Sequence, residues 1–193
     1  MISQRRSVYS LAFALLATAL FAATPLCAAD TYKVDPVHAT VIFRINHLGT
    51  SWVYGRFDEV SGTFTVDEQK PEFDLSVNVD SVDTNNKQRD THVKSADFFS
   101  AKEFPTITFK STSVTSTGEK KFDVTGDLTL HGVTKSITVP LEFVGAAETK
   151  MAGPRAGYEA HFSIKRSDYG MDKMVGMVGD EVYLTVSFEG VKQ

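Results

Sequence analysis

From Ala39 onward the chain alternates apolar and polar residues with a period of two, the spacing of strands that bury one face. Ala39, Val41, Phe43 and Ile45 share one face, and Thr40, Arg44 and Asn46 the other. The pattern returns at Val60, Gly62, Phe64 and Val66, then at Phe73, Leu75, Val77 and Val79. It continues at Ile107 and Phe109, at Phe122, Val124, Leu128 and Leu130, and at Ile137, Val139, Leu141 and Phe143. Two further runs are Tyr158, Ala160, Phe162, Ile164 and Val182, Leu184, Val186, Phe188. Eight strands are predicted. Turn residues separate them at Gly49 and Gly55, 68–71, 116–118, His131-Gly132 and 151–157. One helix is predicted over residues 85–99, with Thr84 as its N-cap.

One short helix cannot cover eight apolar faces. The sheet must bury them against itself, as a sandwich or a closed barrel. Short, mostly local connections favour an up-and-down antiparallel barrel. Phe occupies mid-strand positions, Trp52 is the single tryptophan, and the polar faces are rich in Lys, Glu and Asp. That argues for a water-soluble barrel with a greasy interior over an outer-membrane barrel. The strands then predict Phe43, Phe64, Phe109, Phe162 and Ile164 inside, and Arg44, Thr108, His161 and Lys165 outside. An eight-stranded interior is either packed solid or holds one small ligand. Alternation alone leaves both open.

Two cations continue apolar stripes. His47 follows 39-41-43-45 and Arg166 follows 158-160-162-164. Each either meets a ligand head group or sits at the rim with its tip in water, pairing with a carboxylate such as Asp168. The segment Arg89-Asp90-Thr91-His92 falls on the predicted helix, as a lid over the barrel mouth or as a solvated face. Residues 170–179 are rich in Met and Gly, which suits a gate for a lipid or a hairpin plugging the barrel end.

Residues 1–29 are a different material. Arg5 and Arg6 precede an apolar run from 11 to 23, and Cys27 and Ala29 place small residues at −3 and −1 of a cut before Asp30. This predicts a secretory signal rather than a membrane anchor, and no integral membrane segment in the mature chain. Leu26 stands where a lipoprotein carries a small residue before its cysteine, which argues against acylation of Cys27. One domain, 30–193, remains. The leader carries two arginines and no acid, so its loss takes the formal charge from −4 to −6. A mildly acidic chain without a Lys/Arg cluster lacks the footprint of a nucleic-acid binder. The mature chain has no cysteine, hence no disulfide and no thiol nucleophile. The five histidines lack metal-ligand spacing, and no phosphate loop, His-Glu-x-x-His or Gly-x-Ser-x-Gly occurs. No catalytic residue and no metal site is expected, and His131 before Gly132 reads as a turn histidine.

Six pieces in order resemble the YceI-like family of exported bacterial proteins. They are Tyr32-Lys33-Val34-Asp35 leading through His38 to Phe43-Arg44-Ile45-Asn46-His47; Gly55-Arg56-Phe57; Arg89-Asp90-Thr91-His92 with Asp97-Phe98-Phe99; Phe104-Pro105-Thr106-Ile107-Thr108-Phe109; Gly126-Asp127-Leu128-Thr129-Leu130-His131-Gly132-Val133-Thr134-Lys135; and Arg166-Ser167-Asp168-Tyr169-Gly170. Tyr169 stands where many members carry Phe. The resemblance covers the whole mature chain. It implies a lipocalin-like all-β barrel that encloses a long polyisoprenoid or similar amphiphile, such as a quinone tail, in the periplasm. It implies a binder or carrier without a resident cofactor, beyond the bound lipid or quinone, and a homodimer as a partner state. The inward positions expected to touch such a chain are Val41, Phe43, Ile45, His47, Phe64, Val77, Ile107, Phe109, Leu128, Phe162, Ile164, Arg166, Leu184 and Val186. The competing readings are an enzyme acting on an amphiphile through His47, Arg166 and Asp168, and a filled barrel that works through protein contacts.

Overall fold

A computed structural model describes residues 29–68 and 70–193. All of the leader but Ala29, and with it the export signal and Cys27, lies outside the described residues.

The strands run β1 (Asp30–His47), β2 (Ser51–Phe57), β3 (Val60–Val66), β4 (Phe73–Asn78), β5 (Val82–Asp83), β6 (Thr106–Gly118), β7 (Lys121–Leu130), β8 (Val133–Thr149), β9 (Gly153–Lys165) and β10 (Val178–Lys192). Among the described residues the one α-helix, α1 (Lys87–Val93), lies between β5 and β6. All strand pairings are antiparallel. The first strand pairs with β10, which closes the sheet into an eight-stranded barrel. Its outer half, Asp30–Lys33, pairs with β3, and its inner half, from Val41 to His47, pairs with β2. β2 and β3 thus form one stave, bent at Asp58-Glu59, and β5 adds a short outer edge to β2.

Alternation places the side chains as the pattern predicts. Arg44 lies outside, its guanidinium 4.5 Å from the Trp52 ring centre. Outside too, His161 hydrogen-bonds Thr185 Oγ1 at 3.0 Å. Thr108, expected outside, is half-buried and also borders the interior.

Some boundaries differ. Gly55, expected in a turn, sits mid-strand in β2 opposite Phe43. The residues around it are apolar, aromatic and basic without clean alternation, so the strand left little trace. Residues 116–118 close β6, and the turn falls at Glu119 and Lys120. Between Ser111 and Gly118 only Val114 is apolar, which hid the strand's second half. Likewise β9 begins at Gly153, inside the expected 151–157 turn. The helix is only Lys87–Val93, and its N-cap is Asn86, whose side chain accepts from Arg89 N at 2.9 Å. Thr84 is buried and has another task, described below.

The interior has two unlike ends. At the end holding Asp30 and Lys192, aromatic rings fill the barrel. Tyr32 stacks on Phe64 at 5.5 Å, Phe64 meets Phe188 at 5.3 Å, and Tyr158 meets Phe73 at 5.1 Å edge-on. All five rings are buried. At the other end the inward residues Phe43, Ile45, Ile107, Phe109, Phe162, Ile164 and Leu184 are only half-buried, although they hold the same face of the same staves. Apolar inward side chains that do not reach one another leave a hollow.

Candidate functional site

The hollow is a cavity of about 360 Å³, within the size range of small-molecule sites. Its wall is built from strand residues that alternation aims inward. Of the fourteen positions expected to touch a bound chain, Val41, Phe43, Ile45, His47, Val77, Ile107, Phe109, Leu128, Phe162, Ile164, Arg166, Leu184 and Val186 line it. Phe64 does not. It is buried in the aromatic floor, because alternation reports which way a ring faces but not how far along the barrel it stands. Val53, Phe57, Leu75, Val124, Leu130, Ile137, Val139, Leu141, Ala160 and Val182 line the cavity by the same parity.

Two glycines make room for wall rings. A Cβ on Gly55 would overlap the ring of Phe43, and one on Gly126 would meet Phe109 Cζ at 2.6 Å. The outer ends of these rings therefore reach over the glycine backbone of the neighbouring strand.

The mouth is covered from two sides. On one side stand α1 and the segment after it, with Arg89, His92, Val93, Phe98 and Phe99 at the cavity. Thr84, at the end of β5, anchors this helix. Its backbone N–H and hydroxyl donate to Asp90 at 2.8 and 2.6 Å. Arg89 Nε and Nη2 donate to the Thr84 hydroxyl and carbonyl at 2.9 and 2.5 Å. Burial opposes the Asp90 charge, yet the Thr84 hydroxyl and N–H hold its carboxyl below the usual range. Phe98 and Phe99, quoted in the resemblance and expected on the helix, stand instead in the loop after α1.

On the other side lies the β9–β10 connection. A short 3-10 turn, Arg166–Tyr169, ends at Gly170 with φ 75°, and Met171 and Met174 then reach the cavity. Arg166 holds this loop together. It is 3% exposed, so of the two positions its parity left open, the rim with its tip in water does not hold. Its guanidinium donates to four carbonyls: Met171 at 2.5 Å, Lys173 and Gly179 at 2.8 Å, and Val178 at 3.0 Å. Burial lowers its pKa, opposed by the Asp180 and Asp172 charges. Asp168, the carboxylate considered as its partner, instead pairs with Lys135 at 3.5 Å. The carboxylate of Asp180 is occupied by the Ser167 N–H and hydroxyl at 3.0 and 2.8 Å.

Six lining residues are polar: His47, Thr84, Arg89, His92, Thr108 and Arg166. Thr84, Arg89 and Arg166 are tied up as above, and His92 Nε2 lies 3.1 Å from Asp97. His47, Arg166 and Asp168 form no cluster of the kind an acid–base site needs. His131 sits in the β7–β8 turn at φ 52°, its Nδ1 3.0 Å from the Tyr169 carbonyl.

A closed antiparallel barrel, filled at one end and hollow at the other, is the architecture of the lipocalin-like class. Within it the chain belongs to the YceI-like family, whose domain model matches residues 32–190. It is 45% identical to Protein YceI of Escherichia coli O157:H7 over 194 residues, 98% of this chain and 99% of that one. The fold is similar to that of BcnA from Burkholderia cenocepacia, with TM-score 0.74 at 24% identity over 81% of this chain and 98% of that one. It is also similar to a domain from Saccharophagus degradans described as polyisoprenoid binding, with TM-score 0.67 at 18% identity over 84% and 98%.

Proposed function

We propose that the protein binds and carries a long-chain polyisoprenoid or similar amphiphile, such as an isoprenoid quinone, in the periplasm. The mature chain would begin at Asp30 after loss of the leader. The tail lies in the cavity between the fourteen-residue set, less Phe64, and the polar end stays at the mouth near His47.

The observation that carries this reading is the apolar hollow itself. A purely structural barrel gains by filling its interior, whereas this one withholds packing from half of it. Burying a methylene yields about 0.8 kcal/mol. Ten of them yield about 8 kcal/mol before ordering costs, roughly micromolar binding. A tail alone therefore supplies useful affinity. Membership in the YceI-like family and the fold shared with a domain described as polyisoprenoid binding support the same reading. A binding role fits better than catalysis because four of the six polar lining groups, Thr84, Arg89, His92 and Arg166, are engaged with other protein groups.

Native mass spectrometry of the purified protein, followed by solvent extraction, tests this. An adduct that extracts as an isoprenoid-tailed lipid is expected. A bare mass, with no uptake of added long-chain isoprenoid, would overturn it.

A further inference from the structure

We infer that the β1–β2 turn and the β9–β10 loop form a docking surface by which the cavity mouth sits on a phospholipid bilayer. The inference rests on the proposed cavity ligand and names the surface from which that ligand enters.

Four large apolar side chains stand in water on these two loops: Leu48 (52% exposed), Met174 (37%), Val175 (50%) and Met177 (52%). The loops are joined, because Leu48 N–H donates to the Met177 carbonyl at 2.7 Å. Leu48 and Met174 both have positive φ, at 55° and 59°, which non-glycine residues adopt mainly in tight turns. No Asp, Glu, Lys or Arg occurs from Ile45 to Val53 or from Met174 to Gly179, in a chain that is 23% charged. Asp172 and Lys173 precede the second stretch in the same loop, so the charge lies beside the apolar tips rather than among them.

What covers the patch follows from two further features. Met174 belongs both to the patch and to the cavity wall. The greasy surface and the greasy interior are therefore continuous, and a tail leaving a bilayer at this point need not cross water. Behind the apolar tips, on the outer barrel face, lies a band of Trp52, Tyr183 and Arg44. Trp52 meets Tyr183 edge-on at 5.5 Å, and Arg44 lies over both rings. Trp52 pairs with Asn46, two residues from Leu48, about 7 Å down the strand. Apolar tips followed by amphipathic aromatics and a cation at that depth match the layering of a bilayer interface, with acyl chains first and head groups next.

Trp52 is the single tryptophan, so it reports directly on the surface. The protein is taken from Asp30, since every stave of the barrel lies between Asp30 and Lys192. Vesicles of phosphatidylethanolamine with a minor share of phosphatidylglycerol are added. Trp52 emission is expected to move to the blue and to be quenched by acyl-brominated lipid. Leu48→Asp with Met177→Asp, and the milder Leu48→Ser with Met177→Ser, should each lower vesicle affinity about tenfold or more. Both pairs should melt like the parent and still take up free isoprenoid from solution.

Absence of the vesicle-induced shift, or paired variants that bind vesicles like the parent, would overturn the inference. So would a blue shift that depends on protein concentration without lipid and is lost in the paired variants, which would make a second copy the occupant. Ala160→Phe separates the two readings, because it narrows the cavity and leaves the loops intact. Failure of the parent to take up isoprenoid with vesicle docking intact would sink the proposed ligand but not the docking.

Discussion

The ring of Phe43 lies over the bare backbone of Gly55, its antiparallel partner across β1 and β2. The glycine makes room for the ring, which lines the cavity. Gly55→Ala forces the ring toward the axis. Isoprenoid affinity should fall several-fold, at a stability cost of about 1–3 kcal/mol. Paired fluorescence titrations and thermal melts check this.

The tail, not the mouth, should dominate affinity. Ala160 is buried on the inward face of β9, between Tyr158 and Phe162. Ala160→Phe places a ring where a tail would run and should abolish uptake in protein that still folds. His47→Ala removes a polar group at the mouth and should change affinity only a few-fold, about 1 kcal/mol. A binding loss confined to His47→Ala would reverse that ranking.

Arg166 is structural. Arg166→Ala strands four carbonyls that now share one buried guanidinium, which should cost about 3 kcal/mol. For a chain of this size that is roughly 6–12 °C in melting temperature. Arg166→Lys should recover little, since an ammonium cannot span the fork's four acceptors.

Tyr169 is 1% exposed. Among the described residues its hydroxyl is the buried side-chain polar atom without a hydrogen-bond partner, and burial raises its pKa. Removing that hydroxyl lifts a desolvation cost. Tyr169→Phe should leave the fold intact and stabilise it by about 1 kcal/mol. A drop in melting temperature would contradict this.

The barrel seam carries an acid-dependent clamp. Arg155 of β9 donates to Asp35 of β1 at 2.7 Å and to Glu189 of β10. His38 Nδ1 lies 3.0 Å from Asp35. Arg155 first, then His38, holds the Asp35 carboxyl well below the usual carboxylate range. Folding therefore favours the ionised form. That contribution is whole above the ordinary unfolded value, about pH 4, and is lost as pH falls toward the depressed folded value. Asp35→Asn should melt lower than the parent at neutral pH, with the gap closing as the pH drops below about 4. Melts across that range check the sign.

Much of this protein was legible from alternation, read together with the short connections and the family resemblance. Which residues face inward follows from a local rule, the two-residue period of a strand, so the barrel, its greasy interior and thirteen of the wall positions could be read from the chain. Position along the barrel axis is not local. Phe64 and Phe109 share the same inward parity, yet one is floor and the other wall, because neighbouring staves set height through their register. Arg166 likewise follows the inward parity, and only the path of the loop after Gly170 brings four carbonyls to it. Whether the interior is solid or hollow was decided at the same level. It depends on which side chains from eight different strands reach one another across the axis. At the aromatic end they do, and at the mouth, where Gly55 and Gly126 give room to the rings of Phe43 and Phe109, they do not.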